Sequence, residues 1–339
     1  MKKIWILFLI ALSSLSFSSS LFSEELEIER RAAFDIGSGS TKMIIADVDL
    51  TTNKIVNVVL ADAIYVGLRE NIGPDGDLSS DIQNKAIEAI LTLMKKAAPF
   101  QPLAYHAVAT EPLRLAKNAE ALVQRIKDET GVSVTILSQK EEGVLGFLGA
   151  LAQAKADPDQ AVSWDFGGGS FQITTKCGDD YLVYQGKLGK TPMKNALLKI
   201  QKKDAEQTFS PNPISDLQAE QGIQFIKNTI QDVPVQLRQK LHNPDVVILG
   251  IGINPLWGMQ NSETFNKTHV LEELNSRLNL DDAAIRIKDS IPAEKKESFT
   301  HIVSNLILAY GMMEALDIPQ IHYVGTYSAI ALGALLSHN

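Results

Sequence analysis

Two short segments of the chain carry residue types suited to gripping a phosphate chain, Asp35-Ile36-Gly37-Ser38-Gly39-Ser40 and Asp165-Phe166-Gly167-Gly168-Gly169-Ser170. In each, a carboxylate closes an apolar run, glycines follow, and a hydroxyl stands at the exit. Glycine lets the backbone approach an anion closely, and successive N–H groups can then point at one phosphate. The candidate phosphate-binding residues are Gly37, Ser38, Gly39 and Ser40 in the first loop and Gly167, Gly168, Gly169 and Ser170 in the second. Taken alone, the first loop also fits an ordinary hairpin turn. The second is harder to explain that way, because three consecutive glycines cost backbone entropy. Either flanking carboxylate, Asp35 or Asp165, could hold a hydrated Mg2+ (or Mn2+) that also touches phosphate oxygens. Further along, Glu141 and Glu142 lead a helical pattern, and on residue type alone they stabilise its first turn. Arg114 follows Pro112-Leu113 at a strand exit, where a guanidinium makes either a surface ion pair or a two-point phosphate contact. Lys187 and Lys190 flank Gly189 and could track a longer anion, although most lysines are simply solvated.

The elements that must position these groups follow from periodicity. Residues 31–47 read strand, glycine turn, strand, and 54–63 a third strand. Ser79 or Ser80 caps a helix whose apolar Ile82, Ala86, Ile90, Leu93 and Met94 recur at helical spacing. A strand at 105–110, a helix at 118–130 closed by Gly131, a strand at 132–137 and a helix at 139–155 follow. The order then restarts with a strand at 161–165, the triple-glycine turn, and strands at 171–176 and 181–184. Helices near 191–202 and 215–241, a strand at 246–249, a long apolar helix at 298–316, a strand at 321–324 and a helix at 328–336 complete it. Both halves thus open strand, Asp, glycine turn, strand, strand. That alternation predicts an α/β fold of two similar domains, at 31–157 and 158–339, with the ligand in the cleft between them.

Composition narrows the function. The chain has 339 residues, 45% hydrophobic and 21% charged, which describes a packed globular protein. A net charge of -8 and a pI near 5.3 argue against a nucleic-acid surface, so any polyanion must be held by backbone amides, a metal or a small basic patch. Cys177 is the single cysteine, which excludes an internal disulfide and a cysteine-based metal site. At the start, Lys2 and Lys3, an apolar run at 4–12 and small residues at 13–23 follow the order of a secretory signal peptide. An uncleaved anchor is the alternative reading. Residues 1–23 are expected to leave an exported mature chain, periplasmic or secreted, with no stable membrane span.

The paired loops resemble those of the actin, Hsp70 and sugar-kinase superfamily. Within it, four segments look like the exopolyphosphatase and guanosine pentaphosphate phosphohydrolase family. These are the two loops, Val108-Ala109-Thr110-Glu111-Pro112-Leu113-Arg114, and Leu137-Ser138-Gln139-Lys140-Glu141-Glu142-Gly143. The resemblance implies two actin-like ATPase (ribonuclease H-like) domains with an interdomain cleft. It gives Glu142 the part of general base against the terminal phosphate, leaves Glu141 at the helix terminus, and makes Arg114 a catalytic cation. It implies Mg2+ (or Mn2+) on Asp165 and Asp35, and a polyphosphate or nucleoside polyphosphate substrate; export favours polyphosphate. A homodimer is the protein–protein assembly left open. Three departures stand out: Gln172 where the family continues Ser-Thr-Glu, Gly39 where it commonly has asparagine, and altered segments at Gly250-Ile251-Gly252-Ile253-Asn254 and Gly325-Thr326-Tyr327-Ser328. Gln172 cannot supply a glutamate's charge to a metal, so a binding protein that closes on phosphate without turnover is the alternative of another class.

Overall fold

A computed structural model describes residues 27–205, 207–252, 264–325 and 327–337. The expected leader at 1–23, Ile253-Asn254 and Thr326 therefore lie outside the described residues. Among the described residues no helix is long and apolar enough to cross a membrane. The first half contains β1 (Ile28–Ile36), β2 (Ser40–Asp49), β3 (Lys54–Tyr65), β4 (Ala104–Ala109) and β5 (Val134–Ile136), with α1 (Ser80–Ala97), α2 (Glu111–Leu115), α3 (Ala119–Thr130) and α4 (Gln139–Ala154). Strands of the second half are β6 (Ala161–Phe166), β7 (Phe171–Cys177), β8 (Asp180–Gly186), β9 (Val247–Ile251), β10 (Thr264–Asn266) and β11 (Gln320–Tyr323). Its helices are α5 (Lys190–Ile200), α6 (Asp216–Thr229), α7 (Val235–Leu241), α8 (Lys267–Asn275), α9 (Asp282–Lys288), α10 (Lys296–Thr300), α11 (Ile302–Leu316) and α12 (Ala329–Ser337).

The two sheets run β3-β2-β1-β4-β5 and β10-β11-β9-β6-β7-β8. Each is an antiparallel meander, β1-β2-β3 or β6-β7-β8, extended on the other side of its first strand by parallel neighbours. Small β10 adds an antiparallel edge to the second sheet. This is the duplicated actin-like, ribonuclease H-like architecture.

Strand alternation decides which way the two aspartates face. In β1, Ala32, Phe34 and Ile36 enter the outer core under α1 and α3, while Ala33 enters the inner one. In β6, Val162, Trp164 and Phe166 enter the outer core with α6 and α11, while Ala161 points inward. Asp35 and Asp165 share the parity of Ala33 and Ala161, so both turn to the inner faces.

Those inner faces are covered in exchange. Helix α12, from the end of the chain, lays Ile330, Ala331, Ala334 and Leu335 on β1, β2 and β4 of the first sheet. Helix α4, from the first half, lays Phe147 and Ala150 against β6 and β9 of the second. Packing therefore crosses the line at 157/158. The two helices meet backbone to backbone: a Cβ on Gly149 would stand 1.8 Å from the Ala329 carbonyl oxygen, and one on Gly333 2.0 Å from that of Leu145.

Departures from the sequence reading have local causes. The expected helix at 215–241 is split into α6 and α7, because Asp232 turns at φ 53 and Pro234 keeps Val233 out of helical conformation. Helices α2, α8 and α9 and strand β10 are too short for periodicity to reveal. Gly131 does close α3, at φ 76. From the helix contact we expect Gly149→Ala and Gly333→Ala each to lower stability by about 1–3 kcal/mol in urea unfolding. Unchanged midpoints would contradict the close approach.

Candidate phosphate-binding and catalytic site

Both glycine loops open onto one cleft of about 1170 Å³ between the sheets. They close alike: Gly37 N–H donates to the Ser40 carbonyl at 3.0 Å, and Gly167 N–H to that of Ser170 at 3.0 Å. Those two amides thus serve the turns. The amides of Ser38, Gly39, Gly168 and Gly169 take no partner among the described residues and are the ones free to meet an anion. Gly168 faces Ser38 across the cleft, with a notional Cβ only 3.2 Å from the serine's own. The loops predicted from sequence are therefore brought face to face. Gly189 supports the second one, with no room for a side chain beside the Gly169 carbonyl carbon, 2.7 Å from its notional Cβ.

Hairpin register sets a second side chain beside each aspartate: Lys42, which the sequence reading missed, and Gln172, which it had noted. Asp35 pairs with Lys42 across β1 and β2, and Asp165 pairs with Gln172 across β6 and β7. Lys42 Nζ reaches Asp35 Oδ2 at 3.0 Å, and the aspartate raises the lysine's pKa. Ser328, just before α12, donates to the same oxygen at 2.8 Å. Asp35 itself is 1% exposed and its Oδ1 has no partner. Following the hairpin seven positions on from Asp35 exposes the Lys42 pairing in the sequence, whereas Ser328 carries no local signal. Gln172 is 1% exposed and donates to Ser170 Oγ at 3.3 Å, so it lies beneath the cleft wall.

Glu142 reaches the cleft because Ser138 starts α4 so firmly. The Ser138 hydroxyl accepts from Glu141 N–H at 3.2 Å while Glu141 Oε2 accepts from Ser138 N–H at 2.7 Å, a capping box. Glu141 is thus the helix-terminus residue. Glu142, next in line, is 7% exposed and lines the cleft. Burial, then the nearby Asp165 and Asp35, push its carboxyl up to about 7 against the opposing pull of Arg114. Arg114 Nη2 lies 2.7 Å from Glu142 Oε2, too poorly aligned for a directed hydrogen bond, and its Nη1 donates to the Leu137 carbonyl at 2.8 Å. The guanidinium thus sits behind Glu142 and off the cleft wall.

Lysines together with Arg69 supply the cleft's positive charge. Lys190 and Lys42 line it, and Lys187 does not. Burial and then Lys42 press the Lys190 pKa down to about 8. Burial raises Asp165 to about 6, Asp35 adding to the shift and Lys42 and Lys190 opposing it. The buried, unpartnered Asp35 Oδ1 and the neighbouring Asp165 fit a divalent cation of the Mg2+ type, which takes one or two carboxylates and completes its shell with phosphate and water. Among the described residues no group of three or more His, Cys, Asp or Glu side chains forms a closed metal cage. Glu111 is an acidic group to which the sequence reading gave no role; its carboxylate lies against both loops.

Comparisons with known proteins agree with this fold. A sequence model of the Ppx/GppA phosphatase family matches residues 45–326. Similar solved structures include the Ppx/GppA family member of Aquifex aeolicus, 19% identical with a TM-score of 0.71, covering 91% of this chain and 97% of that one. Another is an exopolyphosphatase from Cytophaga hutchinsonii, 15% identical with a TM-score of 0.66, covering 91% and 98%. A curated relative, the bifunctional 3-dehydroquinate synthase/phosphatase of Fusobacterium nucleatum, is 26% identical over 152 residues, which span 42% of this chain and 22% of that protein.

The charge on Glu142 carries a stability consequence. Its folded pKa lies above the ordinary 4.5, so the folded state holds the extra proton and loses stability as pH rises from about 4.5 through about 7. Glu142→Gln keeps the shape and removes the charge. We expect its melting temperature to exceed the wild type's by a few degrees at pH 8, with the gap closing toward pH 4.5. A variant less stable at pH 8 would show that Arg114 outweighs burial.

Proposed function

Because the chain belongs to the Ppx/GppA phosphatase family, we propose that it is an exported, metal-dependent exopolyphosphatase that releases terminal orthophosphate from inorganic polyphosphate. The observation that carries this reading is Glu142, a buried carboxylate poised near neutrality in the cleft that the two loops line. A general base works best with a pKa near the operating pH. The free amides of Ser38, Gly39, Gly168 and Gly169 would receive the terminal phosphate. Glu142 would take a proton from water as its oxygen attacks the phosphorus in line and the anhydride P–O bond breaks toward the shortened chain. Lys42 and Lys190 would offset the charge gathering on the phosphate oxygens. Arg114 would hold Glu142 in place and favour its ionised form. Mg2+ (or Mn2+), held by Asp165 and Asp35, would supply further positive charge beside the phosphate.

Export, read from residues 1–23, favours polyphosphate over a nucleoside polyphosphate, which is the second substrate class considered. The buried neutral Gln172 favours a different second reading, a protein that binds phosphate chains without hydrolysing them.

The test is phosphate release from polyphosphate by the mature chain with Mg2+ present. The rate is expected to rise with pH through about 7 as Glu142 ionises and to fall above about 8 as Lys190 loses its proton. Glu142→Gln should lower it at least about a hundredfold. An unaffected rate in the variant would remove the mechanism. Tight binding with no release in either protein would favour the non-hydrolytic reading.

A further inference from the structure

Glu111 opens the short helix α2 on the first domain, yet its carboxylate lies against both glycine loops. Ser38 Oγ donates to its Oε2 at 3.2 Å. On the other loop, a Cβ placed on Gly169 would stand 1.9 Å from Oε1 and 2.2 Å from Oε2. Only a glycine leaves that space, and the carboxylate fills it. Arg69 Nε approaches Oε2 at 3.7 Å, is shut off from solvent and has no hydrogen-bond partner. The Arg69 backbone N–H donates to the Ser38 carbonyl at 3.0 Å, which fixes this cation to the first loop. A hydroxyl, a glycine backbone and a guanidinium are the groups that bind phosphate oxygens. Here they surround a carboxylate belonging to the protein.

We propose that Glu111 sets the affinity and selectivity of the phosphate site by occupying the gap between the loops, so that an incoming phosphoanion must replace it on Ser38 and Arg69. This rests on the phosphate-binding reading of the loops and adds a residue to it. An anion that stays beside Glu111 meets a like charge at close range, which is unfavourable even near a protein surface. A ligand prevails by offering more than one carboxylate's worth of oxygens and charge. Linked phosphoryl groups meet that demand better than a single orthophosphate, so Glu111 biases the site toward chains. Released orthophosphate is correspondingly poorly retained.

Calorimetric titration with imidodiphosphate, which resists hydrolysis, tests this in the purified protein. Glu111→Gln is expected to bind it at least about tenfold more tightly than the wild type. Orthophosphate should gain at least as much. Arg69→Met, added to Glu111→Gln, should return that gain. Unchanged or weaker binding in Glu111→Gln overturns the proposal, as does a double variant that keeps the gain. Thermal melting checks each fold, and Glu111→Ala carries the test if Glu111→Gln is unstable; collapse of both would make the carboxylate structural and overturn the idea. Phosphate release by the wild type without a gain in Glu111→Gln defeats this inference alone. Absence of both binding and release in every protein defeats the hydrolase reading with it.

Discussion

Helices α4 and α12 touch through their backbones, at Gly149 against Ala329 and at Gly333 against Leu145, and the site depends on that contact. Each helix covers the inner face of the sheet built by the other half of the chain. Any side chain at either glycine would push the helices apart and carry the sheets with them. The loops ride on the ends of β1 and β6, the central strands of those sheets, so their separation is set by this crossing. Gly168 and Ser38 end up in near contact as a result. The spacing of two loops drawn from distant segments is thus fixed by a close helix–helix seam.

Within that frame, strand parity turns Asp35 and Asp165 inward, and the first turn of α4 brings Glu142 to them. Three buried carboxylates in one cleft lose hydration and, to a smaller degree, repel each other, which is why the pKa values of Glu142 and Asp165 are raised to about 7 and about 6. Lys42, Lys190 and Arg114 offset part of that cost, while burial and then the neighbouring Lys42 press the Lys190 pKa down to about 8. A stable core would have no use for such a cluster; strongly perturbed groups gathered in a cleft are the mark of a functional site. Gln172 takes the corresponding cross-strand position in the second half without a charge, so the two halves, alike in topology, differ in electrostatics.

Much of this was legible in the chain. The repeated order of strand, aspartate and glycine turn carried the two-domain fold, and Glu141 with Glu142 marked the first turn of α4. The pairing of Lys42 with Asp35 was implicit in hairpin register. Other features were not legible, because they depend on contacts between residues far apart in sequence. Arg114 contacts Glu142 and the Leu137 carbonyl, partners that nothing local announces. Ser328 acquires its role only by reaching Asp35, 293 positions earlier. Glu111 sat inside a recognised segment, but nothing local shows that it fills the space left by Gly169.

On the proposed reading, the two glycine loops form a single phosphate site. Amide hydrogen exchange of residues 38–40 and 168–170, with and without imidodiphosphate and Mg2+, addresses it most directly. Both loops are predicted to slow together, at the same ligand concentration. Protection of one loop alone, or of neither while the ligand is bound elsewhere, would contradict it.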